Sequence, residues 1–115
     1  FEAWKLGITE LARSSNVVAK LGGAGMPIFG FGFEDISQPP ADSATLAAAW
    51  KPHFEFVLEV FGVDRCMFES NFPVDKQSCS YNVLWNSFKR LASDYSADEK
   101  AALFHDTAVR VYSLD

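Results

Sequence analysis

The chain has 115 residues, of which 49% are hydrophobic and 22% charged, and its mean hydropathy lies near zero. That is the composition of one soluble globular domain and excludes a disordered chain or a membrane span. Its formal charge is −5, with ten Lys and Arg scattered along the chain and clustered nowhere beyond the pair Lys89-Arg90, which argues against nucleic acid or an anionic membrane as partner. Eleven Phe, three Trp and three Tyr are more ring surface than so small a body usually conceals, so the chain is expected to be part of something larger.

Phe1, Trp4, Ile8, Leu11 and Ala12 recur at helical spacing, so residues 1–13 read as an amphipathic helix, stopped by Ser14-Ser15-Asn16. Nothing ahead of Phe1 caps it, and the helix is expected to be entered partway. Asn16-Val17-Val18-Ala19-Lys20-Leu21, closed by Gly22-Gly23, is apolar on both faces and predicts a buried parallel strand. Residues 22–42 form a long segment rich in Gly, Phe and Pro; it is too apolar for a linker and reads as a functional loop. Asp42 or Ser43 caps a helix through Trp50, and Pro52 suits the first turn of a continuing or second helix. Phe54, Val57, Leu58 and Phe61 form its apolar stripe, and Gly62 ends it.

Arg65-Cys66-Met67-Phe68-Glu69-Ser70 predicts a second short strand, left by the loop Asn71-Phe72-Pro73-Val74-Asp75. Tyr81, Leu84, Trp85, Phe88, Leu91 and Ala92 repeat at three and four and make a helix. Ser96-Ala97-Asp98-Glu99 has the form of a capping box opening another helix, with Ala102, Leu103 and Phe104 inward. Residues 107–114 close the chain as a short helix. The order helix, strand, long loop, helix, strand, loop, helices is the alternation of an α/β fold.

Taken singly, the polar residues have modest readings. Lys20 interrupts an apolar strand and must reach solvent or an anionic group. Asn71 reads as a turn residue, Asp75 before Lys76 as a solvated loop pair, and Arg65 as a structural ion pair. His53 and His105 fall among helix residues and read as packing or surface groups. Gly25 and Gly30 lack the Lys-Ser/Thr of a phosphate loop. Cys66 and Cys79 have no partner at metal-ligand spacing; a reduced, cytoplasmic pair is favoured over a disulfide.

The phrase Phe61-Gly62-Val63-Asp64-Arg65-Cys66-Met67-Phe68-Glu69-Ser70-Asn71-Phe72-Pro73-Val74 resembles the last barrel strand of the amidohydrolase-related TIM-barrel hydrolases. That family includes sugar lactonases and 2-pyrone-4,6-dicarboxylate lactonase, and its phrase here is F-G-x-D-R-x-M-F-x-S-D-W-P. Leu11-Ala12 followed by residues 16–21 is similar to its seventh-strand phrase, and residues 96–112 to its closing segment. The resemblance implies a partial (β/α)8 TIM barrel, residues 1–115 forming the last two parallel strands and the C-terminal helices. A whole barrel needs about 250 residues, and the family's H-x-H pair has no counterpart here, so the chain alone is expected to be an inactive fragment.

The resemblance also implies a hydrolase that opens a small anionic or sugar lactone by water attack at the carbonyl. The alternatives are a non-oxidative decarboxylase on the same scaffold and an inactive, self-associating fragment. Where the family places a metal-binding, proton-accepting Asp, this chain has Asn71, which can orient a water but not deprotonate it. Glu69 and Asp75 are the carboxylates that can substitute, Glu69 sharing the face of Asn71 if the strand stays regular. Lys20 and Ser70 are the expected substrate contacts. No residue here is expected to ligate a metal, and a divalent ion such as zinc in the complete protein is the minority expectation. A small-molecule substrate, no nucleic acid, no membrane, a homo-oligomer and a cytoplasmic location complete the expectations.

Overall fold

The computed structural model describes residues 1–114; the last residue of the expected domain, Asp115, lies outside them. Its elements are α1 (Glu2–Ala12), β1 (Ala19–Leu21), α2 (Ser43–Phe61), β2 (Cys66–Phe68), α3 (Tyr81–Leu91), α4 (Ala97–Ala101) and α5 (Thr107–Val111). Short 3-10 turns occupy Pro27–Phe29, Val63–Arg65 and Val74–Gln77. A single π-helical turn, Ala102–Asp106, joins α4 to α5.

The strands pair in parallel, Ala19 beside Cys66, Lys20 beside Met67 and Leu21 beside Phe68, and the chain between them carries α2. This is the expected α/β alternation, with strands shorter than the sequence suggests. Val17 N–H turns back to the Ser14 carbonyl, which takes the start of the expected first strand out of the ladder. Within β1 only Leu21 is buried and Lys20 is exposed, whereas all three residues of β2 are buried. The expectation of a first strand buried on both faces is therefore corrected: apolar composition alone could not say which face stays open.

The long helix continues through Pro52. An interior proline removes one helical hydrogen bond, at a cost of about 3 kcal/mol. Buried anchors on both sides of it, Leu46 and Trp50 before and Phe54, Val57 and Leu58 after, outweigh that loss. Asp42 caps the start, its Oδ1 accepting from Thr45 N–H at 2.8 Å. Ser80 caps α3, and Ser96 and Glu99 close the expected capping box at α4.

The chain divides into two compact units: Phe1–Leu21 with His53–Phe68 and the chain from Tyr95 onward, and Gly22–Pro52 with Glu69–Asp94. In the first, Leu21, Phe54, Val57, Leu58, Phe61, the β2 residues and Leu103 form the core, and the Phe104 ring lies 4.9 Å from that of Phe68. His53 packs its ring against Phe1 and Trp4, and burial holds its pKa below the ordinary value. In the second, Trp50 meets Phe88, which Trp85 approaches edge-on; Leu46, Leu84 and Leu91 complete that core.

Arg65 organises the first unit. Its guanidinium donates to the carbonyls of Ala12 at 2.9 Å, Ser14 at 3.1 Å, Val17 at 3.3 Å and Phe61 at 3.2 Å, and it lies 4.9 Å from the Phe61 ring. The expected ion pair is replaced by carbonyl partners: the cation answers the orphan carbonyls where α1 ends and those of the turn into β1. A lysine cannot span four such acceptors. In urea unfolding of the intact protein, Arg65→Lys is expected to lose about 2 kcal/mol; an unchanged midpoint would contradict this role.

Candidate functional site

Each strand runs directly into a loop of the second unit: Leu21 into Gly22-Gly23-Ala24-Gly25, and Phe68 into residues 69–75. Asp75 has no exposed surface. Its Oδ2 accepts from Gly25 N–H at 3.1 Å and its Oδ1 from Asn71 Nδ2 at 2.7 Å. A carboxylate removed from water costs several kcal/mol unless such donors replace its hydration. Ser78 Oγ donates to the Gly25 carbonyl at 2.6 Å, so both main-chain groups of Gly25 are held by the Asp75 turn.

The glycine run exists for this approach. A Cβ at Gly25 would stand 2.9 Å from Asp75 Cγ and 3.0 Å from its Oδ2, and one at Gly22 would overlap Glu69 Cγ and carbonyl oxygen. Only residues without side chains let the two loops come this close.

Asn71 has φ 52°, the left-handed region that Asn tolerates better than most residues. That conformation ends the extended chain and folds it back, so that Asp75 N–H reaches the Asn71 carbonyl at 3.1 Å. Backbone and side chains thus close the same five-residue turn, which contains a cis Phe72-Pro73 bond. Ser70 Oγ accepts from Phe72 N–H at 3.2 Å, and the Phe72 ring meets that of Tyr81 edge-on.

Asn71 and Asp75 are therefore brought together. The reading of Asp75 as a solvated partner of Lys76 is overturned: the carboxylate is buried on Gly25 and Asn71 while Lys76 is exposed. Glu69 is half-buried but lies beyond the strand, and with Asn71 left-handed the regular alternation that would give them a common face does not continue. Ser70 serves the local turn, and Lys20 sits in the body of β1 beside Met67. Gly25 was weighed in the sequence only as part of a phosphate loop, and Ser78 went unnoticed. The signal for Gly25 was three glycines within four residues after a strand; nothing local marks Ser78.

Cys66 and Cys79 are free and buried. Burial, offset in part by Arg65, pushes the Cys66 thiol up to about 12; burial and then the Asp75 charge push Cys79 up to about 11. Neither is a thiolate nucleophile near neutral pH. His105 is exposed, paired with Asp106.

With this geometry in hand, comparison with known proteins places the chain. It belongs to the amidohydrolase family, whose model matches residues 1–114. Among its relatives are an uncharacterised protein of Sinorhizobium fredii, y4mH, 39% identical over 99% of this chain, and an L-fucono-1,5-lactonase of Burkholderia multivorans, 33% identical over 96%. The chain spans 34% and 35% of the length of these two proteins. Two crystal structures of a Burkholderia multivorans amidohydrolase, one with bound HEPES and one with bound zinc, match 97% of the chain at a TM-score of 0.79, with 30% and 31% identity; the match covers 37% of each.

The residues of this chain do not by themselves fit such an ion. Among the described residues no three His, Cys, Asp or Glu side chains converge to hold a metal, and Asn71 offers a weakly coordinating carboxamide. No helix among them is long and apolar enough to cross a membrane.

Two outcomes follow from this packing. Gly25→Ala is expected to push Asp75 out of its seat and cost about 1–3 kcal/mol in thermal unfolding of the intact protein; unaltered stability would mean the loops do not touch. Raising the Cys79 pKa from 9.0 to about 11 lowers its thiolate fraction at pH 8 by about a hundredfold. Both thiols should therefore resist Ellman's reagent until the protein unfolds, and prompt labelling of either in the native state would contradict their burial.

Proposed function

We propose that the intact protein hydrolyses a small lactone, sugar-derived or anionic, and that this chain contributes the last two strands and C-terminal helices of its (β/α)8 barrel. The observation that carries the reading is the Asn71–Asp75 pair, held where β2 gives way to its loop, the end of a barrel strand at which such enzymes place catalytic groups. The 33% identity to an L-fucono-1,5-lactonase supports the substrate class.

In this reading, water attacks the ring carbonyl, the ring C–O bond breaks, and the ring oxygen leaves as the hydroxyl of a hydroxy acid. Asn71 orients the water or substrate. Its amide cannot take up the proton, and both oxygens of Asp75 already accept hydrogen bonds. Glu69, half-buried where the loop after β2 begins, is the remaining carboxylate of this loop and receives the proton of water. Lys20 supplies positive charge for the developing oxyanion or a substrate carboxylate, and Ser70 sets the turn through which the substrate is met.

Ile36 and Ile28 are 99% and 86% exposed, which favours a chain whose apolar surface is covered by the rest of the protein or by a second copy. In size-exclusion chromatography the 115-residue chain alone is expected to elute as a dimer or larger; a sharp monomer would refute this. The activity is tested by assaying the intact protein on L-fucono-1,5-lactone, D-glucono-1,5-lactone and 2-pyrone-4,6-dicarboxylate, with and without EDTA. Turnover of at least one is expected, with Glu69→Gln lowering kcat by about a hundredfold or more. No turnover on any lactone, with carbon dioxide released from an aromatic acid instead, would replace the reading with non-oxidative decarboxylation.

A further inference from the structure

We propose that Asp75 is a positioning residue that acts through Asn71, fixing its amide so that the carbonyl end, a hydrogen-bond acceptor, meets the reacting groups. This rests on the lactonase reading for its kinetic test but not for its structural one.

Three observations lead here. First, the Asn71 atom 2.7 Å from Asp75 Oδ1 must be the NH2 group, because a carboxylate oxygen only accepts. An amide has one nitrogen and one oxygen at opposite corners of a plane; committing Nδ2 to Asp75 commits Oδ1 to the other side. Second, Asp75 has no exposed surface while Asn71 is half-buried. Within the pair, Asp75 is the buried member and Asn71 is the residue with surface to offer. Third, Asp75 is held in turn by Gly25 N–H, and a side chain at Gly25 would collide with it. The acceptor that orients Asn71 therefore cannot swing away.

The consequence is chemical. A carboxamide free to rotate presents its oxygen on either side; Asn71, locked, presents its acceptor oxygen on the side away from Asp75. It meets a group that donates, the attacking water or a substrate hydroxyl, and does so with a buried negative charge directly behind it. A substrate carboxylate facing the Asn71 Oδ1 edge would meet an acceptor rather than a donor, in an unfavourable field.

The test is a double-mutant cycle in the intact protein, with L-fucono-1,5-lactone and D-glucono-1,5-lactone as substrates. Asp75→Asn keeps an acceptor for Gly25 N–H but turns an NH2 toward Asn71, so the Asn71 amide must reverse. Asn71→Gly removes the amide while suiting the positive φ. Asp75→Asn alone is expected to lower kcat by about ten- to a hundredfold with KM held within about threefold and the pH profile of the residual activity unchanged. On the Asn71→Gly background the same substitution should change kcat by less than about twofold.

Equal losses on both backgrounds, or loss of one limb of the pH profile, would overturn the proposal in favour of Asp75 acting directly on water. Unfolding midpoints measured for each variant check that folding is retained. A structural readout stands apart from activity: in NMR spectra of the 15N-labelled protein, the Asn71 side-chain NH2 should show one proton shifted downfield and slow to exchange, and lose both features in Asp75→Asn. An Asn71 NH2 that exchanges like a solvated amide in the unmutated protein would refute the proposal even if lactones are hydrolysed. Failure to hydrolyse any lactone with the NH2 signature present would instead refute only the lactonase reading.

Discussion

A single buried carboxylate decides how the second compact unit is arranged. Asp75 has given up its hydration, and the polypeptide has to supply substitutes. Gly25 N–H comes from the loop that follows β1 and Asn71 Nδ2 from the loop that follows β2. An unpaired charge in that position would cost more than most single substitutions do. The demand propagates outward: Gly25 cannot carry a side chain, Gly22 must clear Glu69, and Asn71 adopts a left-handed backbone while its amide reaches the carboxylate four residues on. Ser78 finishes the arrangement by taking up the Gly25 carbonyl that the turn would otherwise leave unbonded.

The first unit solves a comparable problem with the opposite charge. Where α1 ends and the chain turns into β1, Arg65 collects the carbonyls of Ala12 and Val17, shares that of Ser14 with Val17 N–H, and takes that of Phe61. Arg110 donates likewise to the Asp64 carbonyl, and Thr107 to that of Val63. In each unit, one side chain ties down a stretch of chain distant from it in sequence. The parallel pair of β1 and β2 is only three residues long, so ladder hydrogen bonds alone would hold it weakly.

Much of the fold was legible because its signals are local. The periodic stripe of α3, the Ser96–Glu99 capping box and the Asp42 cap are read within one or two turns of chain, and the structure contains each of them. The family phrase around Asp64 to Val74 led to the right relatives. What could not be read depends on distant partners. Asp75 beside Lys76 has the local look of a solvated pair, and only Gly25, 50 residues earlier, makes it a buried anion. The open face of β1, the passage of α2 through Pro52 and the π turn at Ala102–Asp106 are likewise set by packing. At the site, the sequence named Asn71 and Asp75 separately; that they are bonded to one another belongs to the fold.

The claim on which the rest stands is that Asp75, buried, binds the loop after β1. Residue-resolved amide hydrogen exchange on the intact protein tests it most directly, through Gly25, whose N–H bonds to a side chain within a loop. Protection of that amide comparable with the amides of α3, abolished in Asp75→Ala while α3 keeps its own, is the predicted result. Exchange of the Gly25 amide at the rate of an unstructured glycine would contradict it.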